Sequence, residues 1–158
     1  MALEIRRVVT GHDKNGNAKV LIDDVAESTT RRPGTSAAVF WTTEGFPVDN
    51  TGDADGSKRE VGTTLAKGTV FRVVEFGPGN APRNHRTDSI DYAVVMSGEI
   101  DMELDGDEVV HLKAGDVLVQ RGTVHNWVNR GTQSCAIAFI LIDARPVEVA
   151  GKTLRAEG

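Results

Sequence analysis

The sequence predicts an all-β fold, a single antiparallel sandwich or barrel, on three observations. Short runs rich in Val, Ile, Phe and Thr recur along the chain, Gly, Asn and Asp separate them, and apolar spacing of helical period is scarce. With 158 residues the chain can bury a core of its own, so residues 1–158 read as one domain.

The elements follow in order. "IRRVVTG" and "AKVLIDD" form the first two strands, and Asn15-Gly16 between them is the pair that accepts positive φ at both centres of a two-residue hairpin turn. "AAVFWTT" is the next strand. Residues 42–68 are polar and glycine-rich and exceed the ~12–15 residues that structureless loops usually reach. Such an excursion is either a surface loop or a lid over a binding mouth. "TVFRVVEFG" and "DYAVVMSG" return to strand. In "EIDMEL" Ile100, Met102 and Leu104 point one way and Glu99, Asp101 and Glu103 the other, so one face is buried and the other wet. Asp105-Gly106 supplies hairpin chemistry before "EVVHL". "DVLVQRG", "HNWVNRG" and "SCAIAFILIDA" complete the strands, and residues 147–158 form a peripheral tail.

Charge and composition exclude several roles. The net charge is -5, with acids and bases intermixed and no basic block, which argues against nucleic-acid binding. The single cysteine, Cys135, rules out a disulfide framework and a paired-cysteine zinc motif. Its apolar surroundings mark it as a small core residue rather than a nucleophile. The first residues lack an apolar stretch of signal-peptide length, and "AIAFILI" is far short of a membrane span. A soluble, cytoplasmic protein without membrane contact is expected.

Two stretches carry the chemistry. In the first, Gly79, His85, Thr87, Asp91 and Gly98 fall at the spacing G(x)5HxH(x)3E(x)6G. In the second, Gly115, Gln120, Gly122, His125 and Asn129 fit G(x)5PxG(x)2H(x)3N after one deletion, with Gln120 in the proline position. Together they resemble the two signature motifs of the cupin superfamily, over a motif core of residues 69–143. The resemblance implies a small jelly-roll β-barrel with one ligand site inside it. It also implies a divalent metal, iron, zinc or manganese, among His85, Asp91 and His125. Thr87 replaces the second histidine, and a neutral hydroxyl is a poor ligand beside imidazole, so three protein ligands remain at most. Positions 85, 87 and 91 share parity and face one side of the sheet. Aspartate is shorter than glutamate, so Asp91 needs its backbone nearer the ion.

Two imidazoles and a carboxylate form an open facial site for Fe(II) or zinc. Without an ion the same three residues are an acid/base set in a pocket, or hydrogen-bonded interior groups of a pure binding cavity. Arg83 shares parity with His85 and could aim a cation at a substrate carboxylate. Val74, Phe76, Val95 and Ile140 are expected to make the pocket apolar, with Thr87 and Trp127 on its wall. Tyr92 flanks the same site. Arg86 and Asp88, of opposite parity, read as a solvated pair, and Arg121 as exposed. Asn126 and Asn129 satisfy turn and strand-end backbone groups. His12 and His111 read as surface histidines. "GPGNAP" lacks the lysine and the following helix of a phosphate loop.

The expected function is an enzyme acting on a small organic molecule, a metal-assisted lyase of dehydratase type or an isomerase. The alternatives are a non-haem Fe(II) dioxygenase and a metal-free cupin that binds a small ligand without turnover. The resemblance further implies a homodimer, formed through the amino-terminal strands whose free edges need covering.

Overall fold

The computed structural model describes residues 3–158 and contains thirteen strands. They are β1 (Ile5–His12), β2 (Ala18–Ala26), β3 (Thr29–Arg32), β4 (Thr35–Glu44), β5 (Gly68–Phe76), β6 (Ser89–Ser97) and β7 (Glu99–Leu104). After these come β8 (Val109–Lys113), β9 (Val117–Arg121), β10 (His125–Val128), β11 (Cys135–Asp143), β12 (Val147–Val149) and β13 (Lys152–Leu154). One short 3₁₀ turn, Gly56–Lys58, interrupts the long connection between β4 and β5. Among the described residues no helix is long and apolar enough to cross a membrane.

All strand pairs are antiparallel. A six-stranded sheet runs β3-β4-β5-β11-β6-β9, and a three-stranded sheet runs β10-β7-β8. Their inner faces pack together: Ile100, Met102, Leu112 and Trp127 of the smaller sheet meet Val70, Phe76, Ala93, Ile137 and Phe139 of the larger. This is a jelly-roll barrel, as the two motifs imply. Alternation along β7 buries Ile100 and Met102 at 2% and 4% exposure, as its sequence pattern requires. Gly98, φ 73°, turns β6 into β7 where a Cβ would lie 2.4 Å from the Ser134 carbonyl oxygen, so no other residue fits without displacing backbone.

Both hairpin turns differ from the sequence expectation. Five residues, Asp13 to Asn17, separate the His12–Ala18 pair, and only Gly16 of the Asn-Gly pair has positive φ. The Asp13 carboxylate accepts the backbone N–H groups of Asn15 and Asn17, which favours this wider loop over a two-residue turn. At the second turn the left-handed residue is Asp107, φ 62°, rather than the Asp105-Gly106 pair. The Leu104 N–H bonds to the Glu108 carbonyl and closes a loop of three residues, Asp105 to Asp107.

β3, β12 and β13 are strands that the hydrophobic pattern did not reveal, because they are only three or four residues long. The tail is therefore partly ordered as the β12-β13 hairpin. The amino-terminal strands pair with each other, and Leu3 and Ile5 pack on Ala38, Phe40 and Val73 of the larger sheet. The long loop is pinned at two points. Arg7, 6% exposed, bonds Asp24, the Phe40 carbonyl and Asp55. Arg72 Nη2 donates to the carbonyls of Gly62 and Thr63 at 2.6 and 3.0 Å.

Candidate active site

A cavity of ≈ 370 Å³ opens between the two sheets and is lined by His85, Thr87, Asp91 and His125. Strand order explains their convergence. His85 lies in an isolated bridge with His125, the first residue of β10, while Asp91 sits in β6, paired with Leu141 on one side and Gln120 on the other. The wall is apolar where Val74, Phe76, Trp127, Phe139 and Leu141 contribute. Trp127 packs edge-on against Phe139 at 5.7 Å and against the His125 ring at 6.0 Å. Residues 61–63 of the long loop complete the wall.

The imidazoles are held as a pair. Their ring centroids are 4.3 Å apart, tilted by 51°. His85 Nδ1 lies 3.1 Å from the Arg83 carbonyl and His125 Nδ1 lies 2.9 Å from the Thr123 carbonyl. A carbonyl only accepts, so both rings carry their proton on Nδ1 and keep the Nε2 lone pair free. Burial lowers the basicity of both, with His85 at about 4 through desolvation and then the neighbouring His125. Burial acts oppositely on Asp91, 4% exposed, and pushes its carboxyl up to about 6 against the hydrogen bond from Ser89.

Ser89 Oγ lies 2.6 Å from Asp91 Oδ1 and 2.8 Å from Thr87 Oγ1. It has one proton, so donating to the carboxylate leaves Thr87 to donate to Ser89. Thr87, Ser89 and Asp91 thus form a hydroxyl relay along one face of β6 and its approach. Thr87 occupies the position of the missing imidazole and serves as a hydrogen-bonding link.

His85, Asp91 and His125, expected as metal ligands, line one cavity. Among the described residues no three His, Cys, Asp or Glu side chains are grouped as metal ligands. The short Asp91 side chain bonds to Ser89, and the wall around it is rich in arginine. Two imidazoles offer lone pairs, and Asp91 lines the same cavity with its Oδ1 accepting from Ser89.

Other sequence-predicted residues fall as follows. Val74, Phe76, Thr87, Trp127 and Arg83 line the cavity. Val95 is buried in the core beyond the wall, and Ile140 is on the outer face of β11. Strand alternation gives the inner positions to Phe139 and Leu141 instead. Arg86 and Asp88 do not pair with each other: Arg86 bonds the Gly122 carbonyl and Glu157, and Asp88 accepts the Ala156 N–H. Tyr92 is exposed on the outer face, Arg121 and His12 are exposed, and His111 bonds Asp101 and Glu99 on the surface. Cys135 is fully buried, and burial raises its thiol to about 11. Asn129 bonds the Phe76 and Gln133 carbonyls and accepts the Gly131 N–H. Asn126 accepts the Arg83 N–H and so fixes the backbone of that arginine.

Several lining residues escaped the motif reading, above all Arg31, Arg32, Arg72 and Thr35. Arg72 left a signal in the sequence: it stands at inward parity between Val70 and Val74, a charge on an apolar face.

The cupin-domain family model matches residues 72–142. "Phomopsin biosynthesis cluster protein C'" of Diaporthe leptostromiformis is 38% identical over 157 residues, covering 94% of this chain and 83% of that protein. "Cupin-domain-containing oxidoreductase fogC" of Aspergillus ruber is 33% identical, covering 94% and 77%. Among solved structures, the polyketide cyclase RemF from Streptomyces resistomycificus aligns with a TM-score of 0.54 at 16% identity, over 84% of this chain and 79% of its own, a likeness of fold. The chain belongs to the cupin family.

Proposed function

We propose that this cupin is a small-molecule enzyme that moves a proton next to a carbonyl group, as a lyase of dehydratase type or an isomerase. The observation that carries this reading is the pairing of two neutral, Nε2-free imidazoles with a high-pKa carboxyl group on the wall of one cavity. Groups whose surroundings push their pKa values apart can take the roles of base and acid. His125 Nε2 takes the proton from carbon. Asp91, whose raised pKa of about 6 eases its protonation through the Ser89 and Thr87 hydroxyls, returns that proton to the departing hydroxyl or to the neighbouring carbon. Arg83 stabilises the negative charge that develops on the carbonyl oxygen.

A divalent iron, zinc or manganese ion would supply Lewis acidity, but among the described residues no three His, Cys, Asp or Glu side chains are grouped to hold it. No step is routed through an ion. The direct test is turnover of a panel of small hydroxy acids, followed by absorbance of the new conjugated double bond, with and without chelator. Activity is expected to survive chelation and to fall by about 10²–10⁴-fold in His125→Ala.

A second reading, an oxidoreductase using Fe(II) and oxygen, draws on the printed names of fogC and of "Cupin-domain-containing oxidoreductase virC" of Hypocrea virens, 30% identical. Oxygen uptake that depends on added iron would favour it over proton transfer.

We also propose a homodimer. The supporting surface is the outer face of β6 and the edge strand β9, where Tyr92, Val94, Met96, Val117 and Val119 are exposed together. Apolar side chains alternating outward on an edge of a sheet call for a covering partner, and a second copy supplies an equally apolar face.

A further inference from the structure

Four arginines, Arg31, Arg32, Arg72 and Arg83, line the cavity that holds the two histidines. Among the described residues none of them has an Asp or Glu side chain within 4.0 Å, whereas Arg6, Arg7, Arg59, Arg86 and Arg130 are all ion-paired with one. Asp91 is the one acid on the cavity wall. A partly buried cationic cluster of this kind is costly unless an anion joins it.

The donors are also left open. Arg72 spends Nη2 on the loop carbonyls of Gly62 and Thr63, and its Nε is buried with no hydrogen-bond partner. Arg32 spends Nε on the Ala81 carbonyl and leaves both terminal nitrogens without a partner. Arg83 spends Nη2 on Thr63 Oγ1 and on the main-chain oxygen of the last residue, Gly158, so it is the least open of the four. Thr35, 3% exposed and on the same wall, has a hydroxyl with no partner either. Unpartnered buried donors that line one cavity mark where an acceptor is missing. Between them the wall is hydrocarbon: Val74, Phe76, Trp127, Phe139 and Leu141.

We infer that the substrate is an organic acid with two carboxylates on an apolar skeleton, one held by Arg72 with Thr35 and the other by Arg32 with Arg83. Guanidinium donors suit planar carboxylates, and a single carboxylate would leave most of the cationic wall unmatched. The inference rests on the proton-transfer reading for the location of the reacting carbon, and on the arginines alone for the charge of the ligand.

The test is calorimetric titration of the purified protein, at fixed ionic strength, with succinate, glutarate, adipate and suberate, their monomethyl esters, and inorganic phosphate. At least one diacid is expected to bind one to one and about tenfold or more tighter than its monoester. Arg72→Gln and Arg83→Gln are each expected to lower diacid affinity about tenfold and to leave the monoester little changed. Melting curves check that each variant folds, and either variant suffices. Equal binding of diacids and monoesters, phosphate binding as tight as any diacid, or no diacid binding at all would overturn the inference. His125→Ala separates it from the catalytic reading. Diacid binding without turnover in the parent protein leaves the ligand class standing and removes the chemistry. Turnover of neutral substrates alone does the reverse.

Discussion

His85 and His125 are joined twice over: each donates its backbone N–H to the other's carbonyl, at 3.1 and 3.0 Å, and their rings lie 4.3 Å apart. The bridge brings residues from two separate motifs into one pair whose rings cannot drift apart without breaking backbone hydrogen bonds. Burial lowers the basicity of both rings, and for His85 the neighbouring His125 lowers it further.

The pH dependence of stability follows with opposing signs. His85 protonates at about 4 in the fold, below its ordinary 6.5, so the unfolded chain binds more protons between those values and stability falls on acidification through that window. Asp91 titrates at about 6 rather than 3.8, so its contribution is complete below 3.8 and is lost as pH rises through 6. Asp91→Asn removes the second contribution. It is expected to stabilise the protein at pH ~8 by about 1–3 kcal/mol and to steepen the acid limb, read by urea unfolding across the pH series.

Arg7 clamps the long loop through Asp55, whose carboxyl it holds well below the usual range. Arg7→Ala leaves a carboxylate that is 20% exposed without its cation. A loss of about 3 kcal/mol is expected. Hydrogen exchange should rise first across residues 53–60, ahead of the barrel strands.

Asn129, 1% exposed, satisfies two carbonyls and one N–H, and its own N–H is accepted by Asn80. Asn129→Ala strands several of those groups and should cost about 2–4 kcal/mol in chemical unfolding, with no direct effect on the imidazole pair.

The outer face of β6 and β9 predicts the oligomeric state. Light scattering should give the mass of two chains for the parent protein. Introducing charge by Val94→Glu with Val119→Glu should give one chain with unchanged circular dichroism. A parent protein of single-chain mass would contradict the dimer.

Much of this architecture is written in the sequence. Alternation in "EIDMEL", the apolar run of β11 and the two glycine-anchored motifs specify the jelly roll, because strand period and motif spacing are local properties. The metal centre is less legible. Motif spacing brings Asp91 to the right strand and face, but whether a short carboxylate reaches an ion or a serine depends on side-chain packing that spacing does not encode. Ile140 and Phe139 show the same limit by a single step of parity: both are apolar, and only the register of β11 against β5 and β6 tells which faces the cavity. The arginine wall comes from β3, β5 and the approach to β6, remote in sequence, so no motif announces it. Two of its members are legible singly: Arg83, which shares parity with His85 in the first motif, and Arg72, a charge on an inward apolar face.

Proton transfer by the His85–His125 pair is tested most directly by hydrogen exchange at carbon, which needs no knowledge of the complete reaction. Dicarboxylic acids and their keto and hydroxy derivatives would be incubated with the protein in deuterated water and followed by proton NMR, with chelator present throughout. Loss of the signal beside a carbonyl is expected with the parent protein and its absence with His125→Ala. Binding of these acids without any exchange, or equal exchange in the variant, would contradict the account.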